Sequence, residues 1–287
     1  MMERGRLIVE KVEGRSTLTR CFSKYPMKFI VPKKVGSSQT DVVWIYTITY
    51  GGGIVSGDSI AFDVTVADTC IAVLTTQSST KVYKSIAAKC SQQLLEASIG
   101  RDALLVVIPD PVTCFSTARY SQTQNFTLAT DSSLLLVDWI TSGRHERGEK
   151  WAFSYYKSTN RILLQDGEPV FLDTTLIEQA THGTISDRMK DYQALAMIVL
   201  LGPKLQQIQK QTEEDVKKIM SQQFHFPSNS SSKPNMKPNF IASCSRFGPK
   251  GMGVVVRVAS MTTEAIYSFL QHQLASMEEL LGAPPYH

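Results

Sequence analysis

The sequence predicts a mainly β protein in which short strands stack as a sandwich, a barrel or a β-solenoid, with about two α-helices in the C-terminal third. Three observations carry this. From Asp41 to Leu176 the chain is a succession of β-branched, aromatic or alternating runs separated by Gly, Pro, Asn and Asp. No helical pattern falls between those runs, which argues against βαβ units. Helical periodicity is confined to the last third. With 287 residues, 43% hydrophobic and 20% charged, the chain has enough apolar material for one large core, so residues 1–287 are expected to form a single domain.

The elements follow in order. "DVVWIYTITY" is β-branched and aromatic and stops at glycines. In "SIAFDVTVADTCIAVLTTQ", Ile60, Phe62, Val64 and Val66 share one face, with Ala61, Asp63 and Thr65 on the other. "ALLVVIPDP" is a short buried-type strand ended by proline. "QNFTLATDSSLLLVDWITSG" reads as strand, turn, strand. "WAFSYYKSTNRILLQDGEPVFLDTTL" reads as a hairpin series with turns at "STN" and "QDGEP". No fixed-period repeat is visible. "TEEDVKKIMSQQF" predicts a helix opening at Thr212, with Val216, Ile219 and Met220 on one face. "TTEAIYSFLQHQLASMEELLG" predicts a second, with Thr262 or Thr263 as N-cap, Ile266, Phe269, Leu270, Leu274 and Met277 as its apolar stripe, and Gly282 just past its end. Phe269 and Leu270 read as core. The Pro- and Ser-rich stretch at about 227–239 reads as a mobile loop, and "GMGVVVRVAS" as a returning strand.

Charge and composition exclude several classes. A net charge of +4, from 30 basic and 26 acidic residues without a Lys/Arg run, gives no footprint for nucleic acid or a membrane surface. No apolar run of about 18 residues predicts a membrane span. The opening "MMERGRLIVEKVEGRS" lacks the apolar stretch of a secretory signal. The five cysteines form no C-x-x-C pair, which fits reduced thiols and a cytoplasmic protein.

"YGGGIVSGDS" comes close to a phosphate-binding loop. Gly52 and Gly57 have the right spacing and Ser59 sits at the hydroxyl position, but Asp58 occupies the lysine position and a strand follows. A carboxylate there repels phosphate, and no helix N-terminus faces the anion. The dinucleotide fingerprint fails likewise: Gly51 and Gly53 fit, but Ser56 stands at the third glycine. A strand-to-strand bend with positive-φ glycines accounts for Gly51, Gly52, Gly53 and Gly57, though not for Asp58. The five histidines show no H-x-x-x-H pair, and "HERGE" (His145–Glu149) follows a glycine instead of lying in a long helix, so a closed zinc site is not expected. No nucleophile elbow is present, and Cys114 after a proline turn reads as a buried strand residue. The candidate carboxylates are Asp58, Asp138, Glu146, Glu149 and Glu168. In "DWITSGRHERGEKW", Arg144 and Arg147 flank Gly143 and Gly148 and can pair with Glu149 to clamp the loop.

Four pieces, "KYPMKFIVP", "YGGGIVSGD", "LTTQSSTKVYKS" and "DWITSGRHERGEKW", resemble in order and spacing the urease accessory protein family UreD, called UreH in some bacteria. The ending "LLGAPPYH" also resembles that family, and "PDPVTCF" looks closer to its plant and fungal members. The resemblance spans Tyr25 to His287. It implies a helix-like stack of β-strands and a non-catalytic scaffold. Such a scaffold binds UreF, which recruits the GTPase UreG, and the assembly, a dimer of heteromers, docks on apo-urease. Nickel would pass through an internal tunnel, and GTP would belong to UreG, so no stably bound cofactor is expected. Carried over by motif, Asp58 and Thr80 are tunnel-lining candidates, followed by Asp138 and Glu149, with Glu168 in a poorly matching context. Gly51, Gly52, Gly53, Gly57, Arg144 and Arg147 would shape the loops. Scattered oxygen ligands suit an ion in transit, since His/Cys clusters bind nickel too tightly to release it. Two other readings stand beside this one. The first is a β-rich hydrolase with Asp58 and Glu149 roughly 5–10 Å apart as acid and base. The second is a docking protein without an ion path.

Overall fold

The computed structural model describes residues 4–32, 40–180, 183–224 and 238–286. The loop expected at about 227–239 lies, through residue 237, outside them. The strands, in chain order, are β1 (Gly5–Val12), β2 (Arg15–Phe22), β3 (Met27–Ile30), β4 (Val43–Thr49), β5 (Ser59–Val66), β6 (Ile71–Thr76), β7 (Thr80–Val82), β8 (Ser91–Ile99), β9 (Leu104–Val107), β10 (Val112–Cys114), β11 (Arg119–Leu128), β12 (Ser133–Thr141), β13 (Tyr155–Leu164), β14 (Pro169–Glu178), β15 (Ala194–Leu201), β16 (Phe240–Phe247) and β17 (Gly253–Ser260). The helices are α1 (Ile185–Met189), α2 (Gln206–Phe224), α3 (Thr263–Leu274) and α4 (Glu278–Leu281).

The chain winds between two sheets. β5, β8 and β11 lie in a seven-stranded sheet of order β14-β13-β11-β8-β5-β1-β2. β6, β9 and β12 lie in a ten-stranded sheet of order β16-β17-β15-β12-β9-β6-β4-β3, with β10 joined to β12 and β7. The pairs β5–β8, β8–β11, β6–β9 and β9–β12 are all parallel, so each turn lays one strand of each sheet on the turn before it. This is a β-solenoid, as the resemblance implies. Successive turns enter the first sheet at Ser59, Ser91, Arg119 and Tyr155, at unequal intervals, which explains why no fixed repeat is legible.

Two cores make three layers. Residues of one phase of β9 and β12, namely Leu105, Val107, Leu134, Leu136 and Ile140, fill the space between the sheets. Their alternates Leu104, Val106, Leu135, Val137 and Trp139 face the helices. A parallel strand buried on both faces needs apolar residues in both phases, hence the unbroken "LLVV" and "LLLV". On the helix side, α3 presents Ile266, Phe269, Leu270 and Leu274, all buried. Thr262 caps it by accepting the Ala265 N–H at 3.3 Å. Gly282, at φ +71°, closes α4.

Two expectations need correction. "STN" is not a turn. Ser158 and Asn160 lie inside β13 and point between the sheets, where they meet a carboxylate described below. Thr212 does not open α2. The helix begins at Gln206, after a tight turn at Pro203–Leu205, and Thr212 is buried in its middle. The turn that leads into it is held from elsewhere in the chain: Ser133 Oγ accepts the Lys204 N–H at 3.1 Å.

Candidate functional site: an interior polar seam

Asp138 has the same phase on β12 as Leu136 and Ile140, so its carboxylate projects between the sheets. An ionised carboxylate in such a place costs several kcal/mol unless it is hydrogen-bonded, so donors are needed. β11 and β13 in the opposite sheet supply them. Gln122 Nε2 donates to Oδ1 at 2.8 Å. Asn160 Nδ2 donates to Oδ2 at 2.7 Å, and Ser158 Oγ donates to the same oxygen. The network extends through Tyr120 Oη to Gln122 and through Gln124 Nε2 to Asn160 Oδ1, at 2.9 Å. Burial pushes the Asp138 carboxyl above the ordinary aspartate range. The three donors pull against that shift, and the negative charge of Asp173 adds to it.

Two cavities meet at this residue. The first, of about 240 Å³, is bordered by Thr47, Thr80, Gln93, Gln122, Gln124 and Asp138 among others. The second, of about 310 Å³, lies towards the edges of the sheets, and Asp138 and Trp139 border both. The lining of the first mixes hydroxyls and amides with about as many apolar side chains, and carries Lys81 and two carboxylates, Asp110 and Asp138. Among the described residues no group of three or more His, Cys, Asp and Glu could hold a metal ion.

The glycine bend and the Arg-rich loop, distant in sequence, are joined through Tyr83 and Phe115, and the bend touches the first cavity at Gly52. Gly52 and Lys81 border it. Tyr83 Oη donates to Gly51 O at 2.8 Å, and the Tyr83 ring packs edge-on against Phe115. Arg144 lies over the Phe115 ring with its guanidinium carbon 3.8 Å from the centroid. Its Nε donates to Glu149 at 2.9 Å, and its terminal nitrogen reaches the other oxygen of the same carboxylate. This ion pair, with the Ser116 N–H, holds the Glu149 carboxyl below its ordinary range. Arg147 is exposed in the turn, and its N–H donates to Arg144 O at 2.9 Å.

Asp58 answers the question its position raises. Gly57 adopts φ +84°, Asp58 N–H donates to Val55 O at 3.0 Å, and Asp58 Oδ2 accepts the Val55 N–H at 2.8 Å. The carboxylate locks the turn that follows the glycines. Gly53 is extended, but a Cβ there would lie 2.7 Å from Lys81 O, in the contact that brings Ile54 beside Val82. Asp58 and Glu149, the acid and base of the hydrolase reading, border neither of these two cavities. Glu168 is exposed in the turn between β13 and β14, and Glu146 is exposed in the Arg-rich loop. Cys114 is buried, and burial pushes its thiol up.

Gln122, Gln124, Ser158 and Asn160 were not singled out from sequence. Their signal is a phase violation: on β11, Gln122 and Gln124 alternate with Thr123 but share the inward phase of Tyr120 and Phe126.

The class of protein these features define is a β-solenoid with a polar interior seam and helices on one face. A family model described as UreD urease accessory protein matches residues 3–287, and the chain belongs to that family. It is 61% identical to the Arabidopsis thaliana urease accessory protein D, over 99% of this chain and all of that one. It is 53% identical to the counterpart in Oryza sativa subsp. japonica, over 98% of this chain and 94% of that one. It is 36% identical to Sorangium cellulosum UreD, over 98% and 82%. The fall from plant to bacterial relatives agrees with the plant-like "PDPVTCF".

Proposed function

We propose that this protein is a non-catalytic urease maturation factor that binds UreF, UreG and apo-urease and lets nickel pass along its interior seam to the urease active site. The observation that carries the conduit is Asp138, a carboxylate between the sheets that borders both cavities. Family membership supports the maturation role, and the names of the relatives, all accessory proteins, support a chain that is not itself an enzyme. In this reading Thr80 and Asp138 meet the ion. Asp58 acts at the bend that touches the first cavity, Glu149 at the Arg-rich loop joined to that bend through Tyr83 and Phe115, and Glu168 at the β13–β14 turn. Oxygen ligands of this kind release a hydrated cation, whereas nitrogen and sulfur clusters retain it. Nickel is cargo and GTP belongs to UreG. The cytoplasm is the proposed setting: five cysteines without a C-x-x-C pair fit it, and among the described residues no helix is long and apolar enough to cross a membrane. A dimer of the heteromeric complex is part of the proposal.

The test is reconstitution with cognate UreF, UreG, GTP and apo-urease, with nickel content and urease activity read on the product. Asp138→Asn is expected to assemble normally and to lower nickel loading several-fold, with Thr80→Val and Asp58→Ala acting in the same direction more weakly. Full loading with Asp138→Asn would leave a docking protein without an ion path. Failure of the wild type to capture UreF would remove the maturation role.

A further inference from the structure

We propose that Asp173 is a second oxygen ligand on the cation path and that Arg257 closes the path there by pairing with it. The proposal rests on the conduit reading above. Its starting point is the second cavity, whose lining is mainly apolar and whose polar groups include Asp138, Asp173, Thr175, Ser243 and Arg257.

Strand phase places each group. On β14, Asp173 shares the inward phase of Ile177, so it faces the space between the sheets. On β17, Arg257 shares the phase of Val255, which packs in the inter-sheet core. The first sheet ends at β14, which lies over this edge of the second sheet: Phe171 on β14 packs against Phe247 on β16, with ring centroids 4.7 Å apart. Arg257 meets Asp173 at this outer end of the inter-sheet layer. Its side chain is 52% exposed, while that of Asp173 is 15% exposed, and the two meet at 2.6 Å.

The register then links this pair to the seam. Asn160 on β13 is the direct partner of Asp173 on β14, and Asn160 donates to Asp138. From interior to surface the order is Asp138, Asn160, Asp173, Arg257. The outer carboxylate is neutralised by a fixed positive charge, and that charge stands on the solvent side of the cavity. A guanidinium there repels a divalent cation and occupies the oxygen that would bind it. Swinging Arg257 towards solvent exposes a carboxylate next to Asp138. No backbone movement is required, because the side chain is already half in water.

A clamp between the sheet edges is the competing role for the same pair. The two roles differ in what they control: a clamp controls stability, a gate controls where the ion goes. The experiment uses the assembled complex with cognate UreF, UreG, GTP and apo-urease, supplied with Ni²⁺. Nickel delivered to urease is measured with and without excess EDTA in the bulk solution. Arg257→Met is expected to make delivery several-fold more sensitive to EDTA, with assembly unchanged, because the path now leaks. Arg257→Lys keeps the charge and is expected to behave like the wild type. Asp173→Asn removes the ligand and is expected to lower delivery without EDTA as well. Thermal melting of each variant reads the clamp. If Arg257→Met and Asp173→Asn only lower the melting temperature, with wild-type delivery and EDTA sensitivity, the pair is a clamp and the gate is wrong. If that result comes with reduced delivery by Asp138→Asn, the conduit stands without the gate. If Asp138→Asn also delivers normally, the conduit itself fails and the gate falls with it.

Discussion

Asp138 is an acid held where its charge is expensive, and the sign of its effect on stability follows. Its carboxyl titrates above the ordinary value because of burial first, with three donors limiting the shift and Asp173 adding to it. A carboxyl raised on folding binds its proton more tightly in the native state than in the unfolded chain. Native stability therefore falls as pH rises from the ordinary aspartate value through the raised one, by up to about 1.4 kcal/mol for each unit of difference. Asp138→Asn removes this dependence. Relative to the wild type, the variant should gain stability as pH rises above about 4, and urea denaturation at a series of pH values checks it. A difference that stays constant with pH would mean that the donors cancel the burial cost. Asp138 entered by resemblance to the UreD motif, whereas its ring of donors was not legible. An asparagine or serine flanked by lysine and arginine looks like a turn. Only the opposite strand shows that Ser158 and Asn160 are there to satisfy a charge.

Elements were more legible than their connections. Alternation in "SIAFDVTV" and apolar runs in "LLVV" identify strands because each strand's burial is a local property of its two faces. Which strand lies beside which is not local. β5 pairs with β8 and β1, and nothing within any of the three says so. The entry to α2 shows the same limit, since the turn before it is held by Ser133 on β12. Glycines mark some of these long-range meetings, and two of them separate cause from cause. At Gly53 the backbone is extended and the obstacle is contact: a methyl group would sit 2.7 Å from Lys81 O. At Gly57 the obstacle is φ +84°, with only the flexible Lys89 side chain near a new Cβ, at 3.2 Å. Gly53→Ala should cost about 1–3 kcal/mol through overpacking against backbone, and it should disturb the first cavity, since neighbouring Gly52 borders that cavity. Gly57→Ala should cost about 1–2 kcal/mol through left-handed strain alone. Chemical denaturation of the two variants gives the costs, and equal nickel loading by both would show that the bend has no part in the path.

The whole molecule is three layers sharing one central sheet, and that arrangement predicts how it comes apart. Strands β9 and β12 contribute alternate residues to both cores, so neither core can open without pulling on backbone that belongs to the other. The tryptophans are placed to report this. Trp151 is buried in the inter-sheet core, with its indole N–H donating to Tyr192 O at 2.8 Å. Trp139 is buried on the helix side, with its indole N–H donating to Pro109 O at 2.8 Å and Tyr267 packed edge-on at 4.8 Å. In a background carrying Trp44→Phe, variants retaining only Trp139 or only Trp151 should unfold at the same denaturant concentration once the cost of each substitution is subtracted. Leu136→Ala, which removes a side chain from the inter-sheet core alone, should cost about 2–5 kcal/mol. It should lower both midpoints together, although Trp139 lies on the opposite face of the same strand. If the Trp151 signal moved alone, the helices and the outer face of the second sheet would be a separate cooperative unit. The interior seam could then loosen while that face stayed folded. Coincident movement would instead mean that Asp138 and its two cavities are held by the stability of the entire chain, so that the ion passage proposed above would depend on side-chain movements such as those proposed for Arg257 and not on parting of the sheets.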